Sequence, residues 1–328
     1  MVFCLRDCLI PAMTTVSPSL TSTFVPASRR ESSGVLGHVA IFAIGVVLYV
    51  VCRYFPAELP AWMPWEFVWP EYLAAALALY WFARGLARMD AQERPSLWRQ
   101  VSFVLGVVLL YAVLQTRIDY YALHMFFVHR AQHFVLHHIG AFLVALGASG
   151  PVLWAGMPSF LRPILASAPV KRTVDFIQHP AVAPVIFVGL IYLWLIPAIH
   201  TRVMLDLRLY NLMNESMTVD GIFFWCLILD HRPKPPARIA SGLRALLVIA
   251  VEPLQMVLGA ILSLSSTDFY PVYRICGRIW DIGALSDMHY GGLIIWLPST
   301  LTSFAGVIAV LVALRINDEA AEREAAAQ

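Results

Sequence analysis

Apolar residues gather along the chain into long runs near residues 38–54, 71–88, 99–116, 121–148, 181–200, 216–230, 242–264 and 289–314, separated by shorter stretches that hold most of the charges. Roughly 20 helical residues cross a bilayer, so the pattern predicts eight transmembrane helices. Backbone N–H and C=O groups find no water in hydrocarbon, and a run of this kind must satisfy them within its own helix. The expected fold is therefore all-α. A polytopic helix bundle spans 36–314, an N-terminal segment of 1–35 without ordered structure precedes it, and a tail of 315–328 follows. The tail's EAAEREAAAQ reads as a frayed helix.

Composition agrees with the pattern. Of 328 residues, 59% are hydrophobic and 13% charged, with a mean hydropathy of +0.71. Soluble domains carry about 25% charged residues, so the lipid bilayer is the chain's surroundings. The net charge of +2 comes without a dense basic run, which gives no sign of a nucleic-acid partner. Basic residues do inform topology. With the N-terminus in the cytoplasm, sixteen of the 23 Lys and Arg fall on that side, six fall opposite, and Arg130 lies inside a helix. The positive-inside rule then puts both termini in the cytoplasm. The loop ELPAWMPWEFVWPE faces outward, its indoles suited to the interface.

Five cysteines without a CxxC pair argue against a disulfide framework. Cys4 and Cys8 fall on the reducing side. Cys52 and Cys276 both lie toward the outer face and are read as two unrelated cysteines rather than a bridge.

The candidate chemistry sits at 120–140, YYALHMFFVHRAQHFVLHHIG, where five of the ten histidines fall in one apolar segment beside Arg130. At about 100° per residue, His129, His133 and His137 form one drifting stripe. His124 sits just above it at the outer end, and His138 is expected on the opposite face. Imidazoles at i and i+4 can share an ion, while the simpler alternative is hydrogen bonding across helices. Intramembrane ionisable groups point toward function. Two further outward segments offer donors: 200–215, with His200, Met204, Asp206, Met213 and Glu215, and LSDMHYGG, with Asp287, Met288 and His289. Imidazole with thioether suits copper, Cu(I) above all. Glu252, near the midplane and beside Pro253, lies at the depth of His137 and His138 and is read as neutral, hydrated or paired; facing His137, it would share a proton with that imidazole.

The runs HMFFVHRAQHFVLHHIGAFLVALG, DGIFFWCLILDHRPKPPARIA, PLQMVLGAILSLSSTDFYPVYRICGR and LSDMHYGGLIIWLPS, in this order, resemble the multi-spanning CtaG-type cytochrome c oxidase assembly proteins over roughly residues 70–314. The resemblance implies a bacterial inner-membrane factor that helps insert copper into a haem-copper oxidase, without catalytic turnover. Its partners would be cytochrome c oxidase subunits and a periplasmic copper chaperone. His129 and His133 match the family's HxxxH pair, and Asp287, Gly291 and Gly292 its D-x-x-x-GG element. Where members carry WHP in the fifth span, this chain has WLIP with Ile196. The expected metal site is therefore drawn from His124, His129, His133, His137, Asp287, Met288 and His289. Two other functions stay open: a haem-binding electron-transfer protein with axial histidines, and a metal or proton transporter built on Glu252 and the histidines.

Overall fold

A computed structural model describes the backbone of residues 27–326 and side chains from residue 34. The expectation for residues 1–26, with Cys4 and Cys8, lies outside the described residues. Among the described residues every regular element is helical, as the apolar runs predict.

Helix α1, Ala27–Tyr54, contains the first candidate span, Gly34–Tyr54. α2, Trp69–Leu86, and α3, Leu97–Gln115, follow. The predicted run at 121–148 is broken into parts. α4, Arg117–His124, is capped by the Thr116 hydroxyl, which accepts from the Ile118 N–H. An extended Met125 separates it from α5, Phe126–Phe134. A π-helical turn, Val135–Ile139, then leads into α6, Gly140–Leu146. The chain bends by 76° into α7, Gly150–Gly156. Two short helices, α8 (Leu161–Leu165) and α9 (Ala168–Ile177), precede α10, Ala183–Leu195. A second bend of 74° leads into α11, Pro197–Met204. Here the residue before a proline is driven out of the helical region, and Ile196 has ψ 119°.

Asp206 starts α12, Leu207–Ile228, by accepting from the N–H groups of Arg208 and Leu209. α13, Ser241–Leu264, keeps Pro253 in its interior. α14, Val272–Cys276, lies in the following loop, and α15 runs unbroken for 43 residues from Ala284 to Ala326. The tail expected to fray thus continues the last helix.

Among the described residues, four helices are long and apolar enough to cross a membrane: Gly34–Tyr54, α3, α13 and α15. The number rises to six when each bent pair is one span. The remaining two runs, at 71–88 and 216–230, form α2 and α12, whose charged residues Glu71, Arg84, Glu215 and Asp220 reduce their apolarity. The chain is a helical membrane protein. Its surface carries the apolar excess: Leu36, Phe42, Val47, Leu246, Leu301 and Phe304 are each more than half exposed, while His129, His137, Gln255 and Asp287 are fully buried. A water-soluble domain shows the reverse distribution.

α13 and α15 make the most extensive helix pair. A Cβ on Gly292 would come within 2.7 Å of the Ser263 N and 2.8 Å of the Gly259 O, so this approach requires glycine, as small residues allow in membranes. Two apolar clusters fill the interior, one around Phe103, Leu136, Phe187 and Trp225, the other around Phe126, Met213, Tyr270 and Tyr273. The histidines of α5 and the π-turn run between them. Cys52 and Cys276 are both free, and the Cys52 thiol donates to the Pro64 carbonyl at 3.1 Å.

Candidate metal centre

Helix α5 is aimed by a partner from the far end of the sequence. The Asp287 carboxylate accepts from the N–H groups of Phe126, at 3.1 Å, and Phe127, at 2.9 Å, and pairs with Arg278 at 3.2 Å. It thus caps a helix other than its own. One turn on, His129 and His133 face the interior, with their Nε2 atoms 3.0 Å apart.

Proton positions follow from His200, which is fixed by a carbonyl. A carbonyl only accepts, so His200 donates from Nδ1 to the Trp194 O at 2.9 Å, and its Nε2 is a lone pair. The Tyr273 hydroxyl donates to that Nε2 at 3.1 Å, and its oxygen then accepts the His129 Nδ1–H at 2.7 Å. His129 therefore presents a bare Nε2 to its neighbour. His133 donates from Nε2 to the Asn214 Oδ1 at 3.1 Å, sharing that proton with His129. The Met204 sulfur lies 3.8 Å from the same Tyr273 hydroxyl. Two imidazoles, an amide oxygen and neighbouring thioethers thus converge.

Below this pair, the π-turn changes the phase of the helix. Gly140 donates to the carbonyl five residues back, at Val135, and one residue is gained on the inner face. His138, expected on the opposite side, consequently joins His133 and His137 around one cavity, its ring centroid 5.2 Å from that of His137. His137 donates from Nε2 to Asp220 at 3.0 Å and stacks on Phe187. Glu252 is not paired with His137: its carboxyl group accepts from the Ser303 hydroxyl at 2.7 Å and meets the Thr300 hydroxyl, whose one proton also faces the Trp296 carbonyl at 2.6 Å. Both hydroxyls come from α15, so Glu252 and His137, though at similar depth, have separate partners.

The other predicted ligands are held elsewhere. His124 donates to the Gly277 O at 2.8 Å, and His289 to the Ser265 O at 2.8 Å. The Met288 sulfur accepts from the Phe269 N–H, and both oxygens of Asp287 are taken by the α5 cap. Of the seven predicted ligands, the structure therefore brings only His129 and His133 within a shared ion's reach. Among the described residues, no group of three or more His, Cys, Asp or Glu gathers closely enough to hold a metal ion.

Beside the pair, and outside the spans, Asp119 on α4 accepts from Gln132 and Tyr210, each at 2.7 Å. Burial pushes its carboxyl up to about 6, and the hydrogen bonds from Tyr210 and Gln132 counter part of that rise.

Residues 78–316 match the family of the cytochrome c oxidase caa3 assembly factors. The chain belongs to this family. The matched region holds every residue of the cluster and leaves α1 outside. An uncharacterised protein of Mycobacterium bovis is 29% identical over 248 residues, which is 71% of this chain and 36% of that protein. One of Mycobacterium leprae is 28% identical over 228 residues, covering 66% and 33%. The chain thus matches about a third of the length of these mycobacterial relatives. No solved structure matches.

The sequence reading left Tyr273, Asn214, Asp220 and Gln255 out of the site. Asp220 carried a usable signal, being a carboxylate inside an apolar run. Tyr273 carried none, since its role depends on a loop folding back 144 positions to meet His129.

Proposed function

We propose that this oxidase assembly factor acts in the bacterial inner membrane by receiving copper on His129 and His133 and passing it to a haem-copper oxidase. The observation that carries this reading is the 3.0 Å separation of two buried Nε2 atoms, one of them already a lone pair. The donor set fits the ion. Imidazole with nearby thioether suits Cu(I), and Met217 lines the same cavity as His133. Bound copper would supply a soft cation that binds and leaves without bond-breaking chemistry, consistent with a non-enzymatic role.

The chain's own residues prepare for it. Tyr273 holds the proton of His129 on Nδ1, the kind of outer contact that orients a ligating imidazole. His133 must move its proton from Nε2 to Nδ1, and that Nδ1 faces the cavity without a partner among the described residues. Oxidase subunits would be the recipients and a periplasmic copper chaperone the donor. A haem-binding role is less well supported: His129 and His200 do face each other, but their ring centroids are 5.4 Å apart and one tyrosine hydroxyl joins them.

Metal content after purification under reducing conditions tests the reading. The wild type should carry copper, and a His129→Ala, His133→Ala double variant should not. Equal copper in both removes the site. In cells, deletion should lower copper-dependent oxidase activity while oxidase haem is kept, and full copper and activity in that strain would sink the proposal.

A further inference from the structure

Arg130 is a buried cation without a counter-ion. Its side chain is 3% exposed, and its Nε and Nη2 have no hydrogen-bond partner among the described residues. An arginine cannot shed its charge. Among the described residues the buried carboxylates all have other partners: Asp287 meets Arg278 and two amides, Asp119 meets Gln132 and Tyr210, Asp220 meets His137, Glu71 meets Gln115, and Glu252 meets two hydroxyls. The Phe126 ring, 5.2 Å from the guanidinium carbon, offers only its π-face. A cation left this way in a low-dielectric interior is strongly disfavoured.

The guanidinium lines a cavity of about 30 Å³ shared with His133, His137, His138, Gln255 and Ser299. Polar atoms there are unpartnered in number: Nδ1 of all three histidines and both amide atoms of Gln255, besides the two of Arg130. A water needs about 10–15 Å³ by the same measure, so the space admits about two waters or one small anion. Water would satisfy the hydrogen bonds and leave the charge. An anion balances the charge and accepts from Arg130, the Gln255 amide N–H and an imidazole protonated on Nδ1, whereas the Nδ1 of His137, which donates from Nε2, is a lone pair left to a water.

We infer that this cavity is a binding site for a single monovalent anion of about chloride size, held by Arg130 with donors from Gln255 and His138. The inference does not require copper. It has a consequence for the copper reading, on which the following step rests. An anion in the cavity favours the His133 tautomer with its proton on Nδ1, and that form leaves Nε2 bare toward His129. Anion and metal then assist each other through one imidazole.

The test uses the full chain, stripped of metal, in detergent, so its outcome is independent of the copper site. Sodium chloride or bromide is titrated against sodium gluconate at matched ionic strength, and the thermal midpoint is read. A ligand that binds only the folded state raises that midpoint with concentration. The halides should raise it saturably in the wild type, more weakly in Arg130→Lys, and not at all in Arg130→Met. Gln255→Ala, which keeps the charge, should require roughly tenfold more halide. Should Arg130→Met fail to fold, equilibrium dialysis of radiolabelled chloride against wild type decides, with about one ion per chain expected. Equal effects of halide and gluconate, a halide effect that survives in Arg130→Met, or no retained chloride would each overturn the site.

Discussion

Tyr273 is the residue on which the proton arrangement of the candidate centre depends. Its hydroxyl donates to His200 and accepts from His129, and without it two buried imidazole nitrogens lose their partner. Tyr273→Phe should therefore cost about 1–3 kcal/mol of stability and weaken metal binding by about 10–100-fold, read by denaturation in detergent and by competition with a copper chelator. Asp119 gives a pH-dependent counterpart. Its folded value of about 6 lies above the ordinary 3.8, so the unfolded chain releases this proton first as pH rises. Its contribution to stability is full below about pH 4 and is lost as pH climbs through about 6. Asp119→Asn keeps an accepting oxygen and removes the titration. The variant should gain about 1–3 kcal/mol relative to wild type above pH 6, with the gain vanishing toward pH 4; a gap that does not change with pH would show that burial of the charge is not the cause. At this scale the sequence exposed the HxxxH pair, because i and i+4 adjacency is intrinsic to a helix. It could not expose Tyr273 or Asn214, whose proximity exists only once α12 and the 265–283 loop pack against α5.

The π-turn is the element that decides what the remaining histidines do. A regular helix through 126–146 would send His138 away from His133; the five-residue turn at Val135–Ile139 puts both on the cavity. Nothing in VLHHI announces it, for it holds neither proline nor glycine. Its support is tertiary: the Trp225 indole N–H donates to the His137 carbonyl at 3.1 Å, and α12 approaches so closely that a Cβ on Gly221 would lie 2.6 Å from that same oxygen. Such turns recur at functional sites. Gly221→Val should push α12 off the turn, with a loss of about 1–3 kcal/mol, and should separate His137 from Asp220. Thermal stability reads the first effect. The second appears as a shifted imidazole resonance in spectra of histidine-labelled protein, and an unshifted resonance would mean that the turn holds without this approach. The fold class itself was legible, since hydrophobic period and length suffice for helices. The breaks at Met125 and Ile196 were only half legible: Pro197 signals the second, and no residue signals the first.

For the whole molecule, an apolar exterior around a polar seam fits a bundle that handles a charged cargo within the bilayer. Lipid-facing positions on α1, α13 and α15 are apolar, whereas the seam runs from Tyr273 through His129, His133 and the Arg130 cavity to His137 and Asp220. α15 adds a constraint of its own. At about 1.5 Å per residue its 43 residues extend about 65 Å, against about 30 Å of hydrocarbon. It must therefore emerge, and its C-terminal stretch from Arg315 onward carries Arg315, Glu319 and Arg323 in i, i+4 ion pairs suited to water. The charged end of α15 and the loop holding Tyr273 are then on opposite sides of the membrane, because one helix joins them. On the orientation expected from the basic residues, with the charged end in the cytoplasm, Tyr273 and the mouth of the seam would face the periplasm. Reporter fusions check this directly. A periplasm-active reporter should function in the 265–283 loop and be silent after Ala326 and near Lys171. The reverse result would open the seam to the cytoplasm, and copper would then have to arrive from inside the cell rather than from a periplasmic chaperone.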